Sequence, residues 1–188
     1  MDGPDEPWNF QGSTNRYYGT LTHIRQDAYI QLEKTYVDIL RAIMPRFYTK
    51  YPGNKLVIGD CSALRGDHSY HNKKTFDIFD INYFTFGKNL THYRMNNELP
   101  LEELWLDNFP YRQLDLSVFD AARNAAFFKM IHEVFPKSSI ATSCGISLYL
   151  QKVYGLGFMW HGDDNHAWHH WMHSHIQLGN DVNWDYIL

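Results

Sequence analysis

The sequence contains few cysteines, and it lacks the segments that direct a chain into or across a membrane. Cys61 and Cys144 are its only cysteines, too few for a disulfide scaffold and without the spacing of paired thiolate zinc ligands. No apolar run approaches the roughly 20 residues of a transmembrane helix. The opening residues, MDGPDEPWNF, have neither the basic nor the apolar region of a secretory signal. We therefore expect a protein that is made in the cytoplasm and has no membrane span.

An excess of positive charge is also absent. The chain has 17 Lys and Arg against 21 Asp and Glu, which gives a formal net charge of -4. Proteins that bind nucleic acid through its phosphates carry a basic surface. The composition therefore argues against a nucleic-acid partner, and it leaves the oligomeric state open.

The chain has enough apolar material for one folded domain. It has 188 residues, of which 44% are hydrophobic and 16% aromatic, and a chain of this length can bury a substantial core. We predict a single domain over residues 1–188. Gly, Pro, Asn and Ser predict an irregular lead-in at residues 1–25, and broken patterning predicts an irregular insertion at residues 88–115.

Hydrophobic periodicity predicts both helices and strands. Apolar residues at helical spacing predict helices at residues 26–44, ending at Pro45, and at residues 116–135, where Ser117 is a candidate cap. A shorter helix is predicted at residues 145–154. Strands are predicted at residues 55–60, 75–86, 139–143 and 170–178, the second of them central. This order predicts an α+β fold in which helices flank a small, mostly antiparallel sheet.

Histidine is the unusual residue of this sequence. Six of the 11 histidines fall within 15 residues, where an even spread would place about one. They are His161, His166, His169, His170, His173 and His175. A tract of this kind is either an exposed feature that binds metals adventitiously or part of a built site.

Two of these histidines are spaced for a shared site. On a strand, His173 and His175 project from the same face, and a catalytic zinc site needs three N or O ligands with a fourth position open. His71, Asp77 and Asp80 are candidate partners, because a carboxylate among Phe and Ile is costly to bury unless it is paired or binds a cation. The odd separation of the two aspartates places them on opposite faces. We therefore expect one to bind and the other to face solvent.

The remaining candidates have ordinary structural explanations. His23, His92 and His132 are isolated and are assigned no role, and the two cysteines are expected to be small buried residues. Four aromatic side chains are candidates for the wall of a peptide or sugar groove, although core packing is the commoner role of such residues. They are Tyr83, Trp160, Trp168 and Trp171.

Three short motifs carry a resemblance to a known family. Ser-Tyr-His at residues 69–71, FDINYF at 79–84 and His-Ser-His at 173–175 resemble the zinc peptidases that include lysostaphin, D-alanyl-D-alanine metallopeptidases and hedgehog-like domains. The spacing of His170, His173 and His175 resembles the His-x-x-His-x-His motif of penicillin-insensitive murein endopeptidases. Residues 59–66 (GDCSALRG) and 119–131 (FDAARNAAFFKMI) are also similar to segments of that family.

The resemblance implies a site and a mechanism. It implies Zn²⁺ held by His71, Asp80 and His175, with water in the open position. It assigns His173 as the general base, in place of the glutamate of related branches, and His170 as the group that stabilises the oxyanion or orients the water.

The spacing departs from the family pattern in one place. The family has six residues between its first histidine and its aspartate, whereas five separate His71 from Asp77 and eight separate it from Asp80. DINYF favours Asp80. Asp77 stays an alternative to Asp80, and His68 stays an alternative to His71.

The implied function is that of a zinc-dependent peptidoglycan endopeptidase, which hydrolyses cross-link or stem peptides. Because no export signal is readable, such an enzyme would act after lysis, as a phage lysis enzyme, as a virion component, or after export by another route. The alternatives are a non-catalytic zinc-binding or His-rich module of the same fold, and a metal-dependent amidase or carboxypeptidase on the same scaffold.

Overall fold

The computed structural model of the chain describes residues 8–10, 34–61, 77–86, 114–161 and 173–187. Within them lie six strands and four helices. The strands are β1 (Trp8–Phe10), β2 (Leu56–Cys61), β3 (Ile78–Asn82), β4 (Ser139–Thr142), β5 (Trp160–His161) and β6 (His173–Gln177). The helices are α1 (Lys34–Lys50), α2 (Ala121–Val134), α3 (Cys144–Tyr154) and α4 (Trp184–Ile187).

The strands form one sheet in the order β1-β2-β3-β6-β4-β5. The four central strands, β2, β3, β6 and β4, pair antiparallel. The short strands β1 and β5 pair parallel with β2 and β4. The predicted α+β class with a small, mostly antiparallel sheet is therefore confirmed. So is the central position of the strand predicted at residues 75–86, since β3 has a neighbour on each side.

The helices pack on one face of the sheet. Phe79 and Ile81 of β3 and Ile176 of β6 lie in the main core cluster. Phe79 is paired with Ile176, and Ile81 lies two residues after Phe79, so the three side chains are on one face of the sheet. The same cluster contains buried residues of α1, α2 and α3, among them Leu40, Phe127 and Ile146. The opposite face of the sheet carries the polar residues described in the next section.

Two helix ends differ from the predicted ones. Helix α1 contains Pro45 and continues to Lys50, whereas the sequence predicts an end at Pro45. Helix α2 begins at Ala121, and its cap is Asp120, whose carboxylate accepts a hydrogen bond from the Arg123 backbone N–H at 3.0 Å. The predicted cap, Ser117, lies in the preceding turn, where its own N–H and hydroxyl bind the Asp115 carboxylate.

The third helix follows its local sequence closely. Ser143 caps its N-terminus by accepting from the Ile146 N–H at 3.4 Å. Gly155 ends it with a φ of 71°, a left-handed conformation that glycine adopts without the steric cost of a side chain. Helix α3 thus agrees with the prediction for residues 145–154 to within one residue.

The predicted irregular segments are described only in part. The lead-in at residues 1–25 contains the three-residue strand β1, and its other residues lie outside the described ranges. Of the insertion at residues 88–115, only residues 114 and 115 are described. In the described part of the chain, none of the helices has the length and apolar character needed to cross a membrane.

Candidate active site

The candidate site is centred on Asp80 in the middle of β3. The residue is 1% exposed, and β2 and β6 flank its strand. Desolvation of a carboxylate costs several kcal/mol unless partners compensate for the lost water. The structure supplies such partners from β6.

Two imidazoles approach the two carboxylate oxygens of Asp80. The register pairs Asp80 with His175 and Asn82 with His173, so these four side chains share the face opposite the main core. His175 Nδ1 lies 3.0 Å from Asp80 Oδ1. His173 Nε2 lies 3.7 Å from Asp80 Oδ2. The predicted placement of the two histidines on one face of a strand is thus what the structure shows.

The shorter of these contacts is a hydrogen bond. When Asp80 is ionised its carboxylate can only accept, so the Nδ1–H of His175 then donates to it and orients the ring. His175 keeps 21% of its side chain exposed, whereas His173 keeps 9%. The site therefore opens toward solvent more at His175 than at His173.

The neighbouring strand β2 has an irregular register beside Asp80. Ile58 pairs with Ile81, and Cys61 pairs with Phe79. Three steps along β2 therefore correspond to two steps along β3, which leaves Gly59 and Asp60 opposite the single residue Asp80. A β-bulge bends its strand locally, and bulges are common beside active sites. This bulge falls within the GDCSALRG segment that the sequence singles out.

The end of β3 is held in place by α2. The side-chain amide of Asn124 donates to Phe84 O at 2.8 Å, and its oxygen accepts from Phe84 N–H at 3.0 Å. The same amide donates to Asp120 O at 2.8 Å. Because Asn124 is completely buried, these hydrogen bonds are shielded from water, and they fix the chain just after the site.

Tyr83 directly follows β3 and lies in the main core cluster. Burial raises the pKa of Tyr83 well above its ordinary value, a hydrogen bond with the Ser143 backbone lowers it, and the charge of Asp80 raises it. The phenol therefore stays neutral at physiological pH and does not act as a base. Its 2% exposure excludes it from a groove wall, for which it was a candidate.

The side chains around Asp80 are of the types that zinc binds. Zinc binds imidazole nitrogen and carboxylate oxygen at about 2.0 to 2.2 Å in tetrahedral geometry. Two ligand atoms on such a tetrahedron are about 3.3 to 3.6 Å apart, and the two proposed ligand atoms His175 Nδ1 and Asp80 Oδ1, at 3.0 Å, are closer than this. Coordination of one metal by both atoms would replace their hydrogen bond and move them apart by about 0.3 to 0.6 Å.

Among the described residues, no three His, Cys, Asp or Glu side chains form a ready metal-binding group. The predicted third ligand, His71, its alternative His68, and the predicted assisting residue His170 all lie outside the described residues. The described part of the chain therefore brings together three of the five predicted site residues: Asp80, His173 and His175.

Asp77 has a different environment from Asp80. Its carboxylate accepts a hydrogen bond from the Gln177 amide at 3.3 Å, and its backbone carbonyl accepts from Leu178 N–H at 2.8 Å. It is 3% exposed. The expectation that one of the two aspartates faces solvent is therefore wrong, because both residues are buried at a central strand.

Two residues of this face were not singled out from the sequence. Asn82 is 5% exposed and is paired in register with His173. Its position two residues after Asp80 was a usable signal, since strand residues two apart share a face. Ala141 of β4 is paired with His175, and an alanine gives no such signal, because only the sheet order brings it to the site.

Of the other residues considered from the sequence, His132 has a structural contact, Trp160 is exposed, and two groove candidates lie outside the described ranges. His132 stacks on Phe158 at a ring distance of 4.0 Å. Trp160 is 49% exposed. Trp168 and Trp171 lie outside the described residues.

Comparison with known proteins adds no assignment. No protein-family model, no curated protein and no solved structure matches the chain.

Proposed function

We propose that the protein is a zinc-dependent peptidoglycan endopeptidase, which hydrolyses cross-link or stem peptides with an activated water. The observation that carries the proposal is the buried carboxylate of Asp80 between two imidazoles of one strand, at 3.0 and 3.7 Å. The resemblance of the surrounding motifs to murein endopeptidases supplies the substrate class.

The metal would be held by Asp80, His175 and His71. The first two are adjacent in the structure, and the third follows from the motif. When bound, Zn²⁺ polarises a scissile carbonyl and lowers the pKa of water toward 7. Asp80 and His175 contribute one anionic and one neutral donor, which is a usual combination for catalytic zinc.

His173 is the proposed general base. A base must lie within hydrogen-bond reach of the proton it takes, and imidazole ordinarily titrates near pH 6.5, which suits proton transfer at neutral pH. Its Nε2 faces Oδ2 of Asp80, so the carboxylate would stabilise the imidazolium that forms. The later transfer of this proton to the leaving amine completes the hydrolysis.

His170 has the proposed role of assisting at the oxyanion. Donors aimed at the charge that develops in the transition state contribute a large part of the rate in acyl transfer. A histidine three residues before His173 supplies such a donor in the family pattern.

Cleavage of purified sacculi tests the function. We expect the protein loaded with zinc to release soluble peptides, a chelator to abolish the release, and added Zn²⁺ to restore it. Mass spectrometry of the fragments distinguishes an endopeptidase, which opens an internal peptide bond, from an amidase or a carboxypeptidase. Retention of one zinc per chain without release of any fragment would refute the enzyme and favour a non-catalytic zinc module.

A further inference from the structure

The site face of the sheet continues beyond Asp80 to an exposed aromatic residue. The register pairs Asp80 with His175, His175 with Ala141, and Ala141 with Trp160. These four residues therefore form one row across β3, β6, β4 and β5, and paired residues of adjacent strands have their side chains on the same face. The row begins at the buried carboxylate and ends at an indole.

Trp160 has the exposure of a contact surface. Its exposed fraction is 49%, whereas Ala141, between the two larger residues of the row, is 1% exposed. His175 keeps 21% of its side chain exposed. A molecule bound at His175 thus meets the indole as the next exposed side chain in this row.

The distance between His175 and Trp160 defines which part of a substrate would reach Trp160. Neighbouring strands are about 4.8 Å apart, so β5 lies about 10 Å from β6. An extended peptide advances about 3.3 to 3.6 Å per residue. If the scissile bond lies at the site, the residue that meets Trp160 is about three positions away.

We propose that Trp160 is a specificity-determining residue that packs on an apolar part of the substrate about three residues from the scissile bond. This inference rests on the proposed function. An indole offers a large, rigid apolar surface at low cost in conformational entropy, so it selects substrates that extend this far. A substrate that consists only of the residues flanking the scissile bond does not reach the indole.

The test compares kcat/KM for a long and a short substrate that contain the same scissile bond. The long probe is a cross-linked muropeptide released from sacculi, and the short probe is the same compound trimmed to the two residues that flank the cleaved bond. For Trp160→Ala we expect kcat/KM to fall about tenfold on the long probe, mainly through KM, and to stay unchanged on the short one. Trp160→Phe keeps an aromatic surface and should retain most of the wild-type value on both.

Trp184→Ala is the matched control. Trp184 is 53% exposed, but it lies on α4 and outside the row, so we expect no change on either probe. Cleavage of neither probe by the wild type would refute the proposed function itself. The role of Trp160 would be overturned if the wild type cleaves both probes and Trp160→Ala lowers kcat/KM equally on both or on neither. That result would leave the proposed function unaffected.

Discussion

The two histidines of β6 lie at different distances from one carboxylate, and the proposed mechanism gives them different roles. His175 makes a direct hydrogen bond to Asp80 at 3.0 Å through Nδ1. His173 lies 3.7 Å from the other oxygen, beyond ordinary hydrogen-bond length. Both distances are close to the roughly 3.3 to 3.6 Å between two ligands of one zinc ion. The proposed roles, His175 as ligand and His173 as base, therefore follow from the motif and need a direct test.

Substitution of each histidine separates the two roles. We expect His175→Ala to lose both bound zinc and cleavage, since a three-ligand site loses one ligand. His173→Ala should keep one zinc per chain and lose about 10²-fold to 10⁴-fold in kcat, which is the usual contribution of a general base. Metal content by atomic emission spectroscopy and fragment release from sacculi measure the two effects.

His132→Gln is the control for this pair. His132 lies on α2 and stacks on Phe158, so its replacement should leave zinc content and cleavage unchanged. Equal loss of zinc from the His173 and His175 variants would show that both are ligands and that the assignment of His173 as base is wrong.

The sequence predicts the shared face of the two histidines because strand geometry is simple. A period of two places His173 and His175 on one face, and the cost of an unpaired buried carboxylate indicates a partner for the aspartate. The choice between Asp77 and Asp80 needs the register between β3 and β6, which local sequence does not determine. Ala141 could not be predicted for the same reason.

At the scale of elements, a buried amide of α2 helps to hold the chain that follows β3, together with the backbone N–H of Asp120, which also donates to Phe84 O at 3.1 Å. Asn124 of α2 makes hydrogen bonds with both backbone groups of Phe84. Phe84 follows β3 by two residues, so this contact joins the helix layer to the strand that carries Asp80. Polar groups left unpaired in the interior cost about 1 to 3 kcal/mol each.

Replacement of this amide should destabilise the whole domain. For Asn124→Ala we expect the free energy of unfolding to fall by about 1 to 3 kcal/mol, because the Phe84 N–H loses its acceptor in the interior, whereas Phe84 O keeps the Asp120 N–H. Urea denaturation followed by circular dichroism measures the change. Lys129→Ala, on the exposed side of the same helix, should change it by less than about 0.5 kcal/mol. Similar small losses for both variants would contradict this account.

The predicted end of helix α1 is wrong because tertiary packing outweighs the local preference of proline against a helix interior. A proline inside a helix costs about 3 kcal/mol, which is why the sequence predicts an end at Pro45. Beyond it, Phe47 is 4% exposed and packs against the rings of Phe84 and Phe127 at 5.6 and 5.7 Å. Burial of a Phe contributes about 1.5 to 3 kcal/mol, and each ring pair adds about 0.5 to 1.5. These contacts offset the proline, and they join residues too distant in sequence for periodicity to indicate.

At the scale of the whole molecule, the sheet separates the apolar core from the site. Phe79, Ile81 and Ile176 face the helices and belong to the main core cluster. Asp80, His173 and His175 face the other way. The packing that stabilises the fold is therefore largely independent of the groups that would bind metal. In domains that depend on a structural zinc, by contrast, the chain unfolds when the metal is removed.

Removal of zinc should consequently weaken the fold without abolishing it. A ligand present at 100 to 1,000 times its Kd stabilises the native state by about 2.7 to 4.1 kcal/mol, which for a domain of this size shifts Tm by about 5 to 15 °C. We expect a chelator to lower Tm by this amount while the far-ultraviolet circular dichroism at 25 °C stays unchanged. Asp80→Asn should show no zinc-dependent shift, because it replaces the anionic ligand by a weaker neutral one. Loss of the helical signal on chelation would instead mean that the metal stabilises the fold itself, as in a structural zinc module.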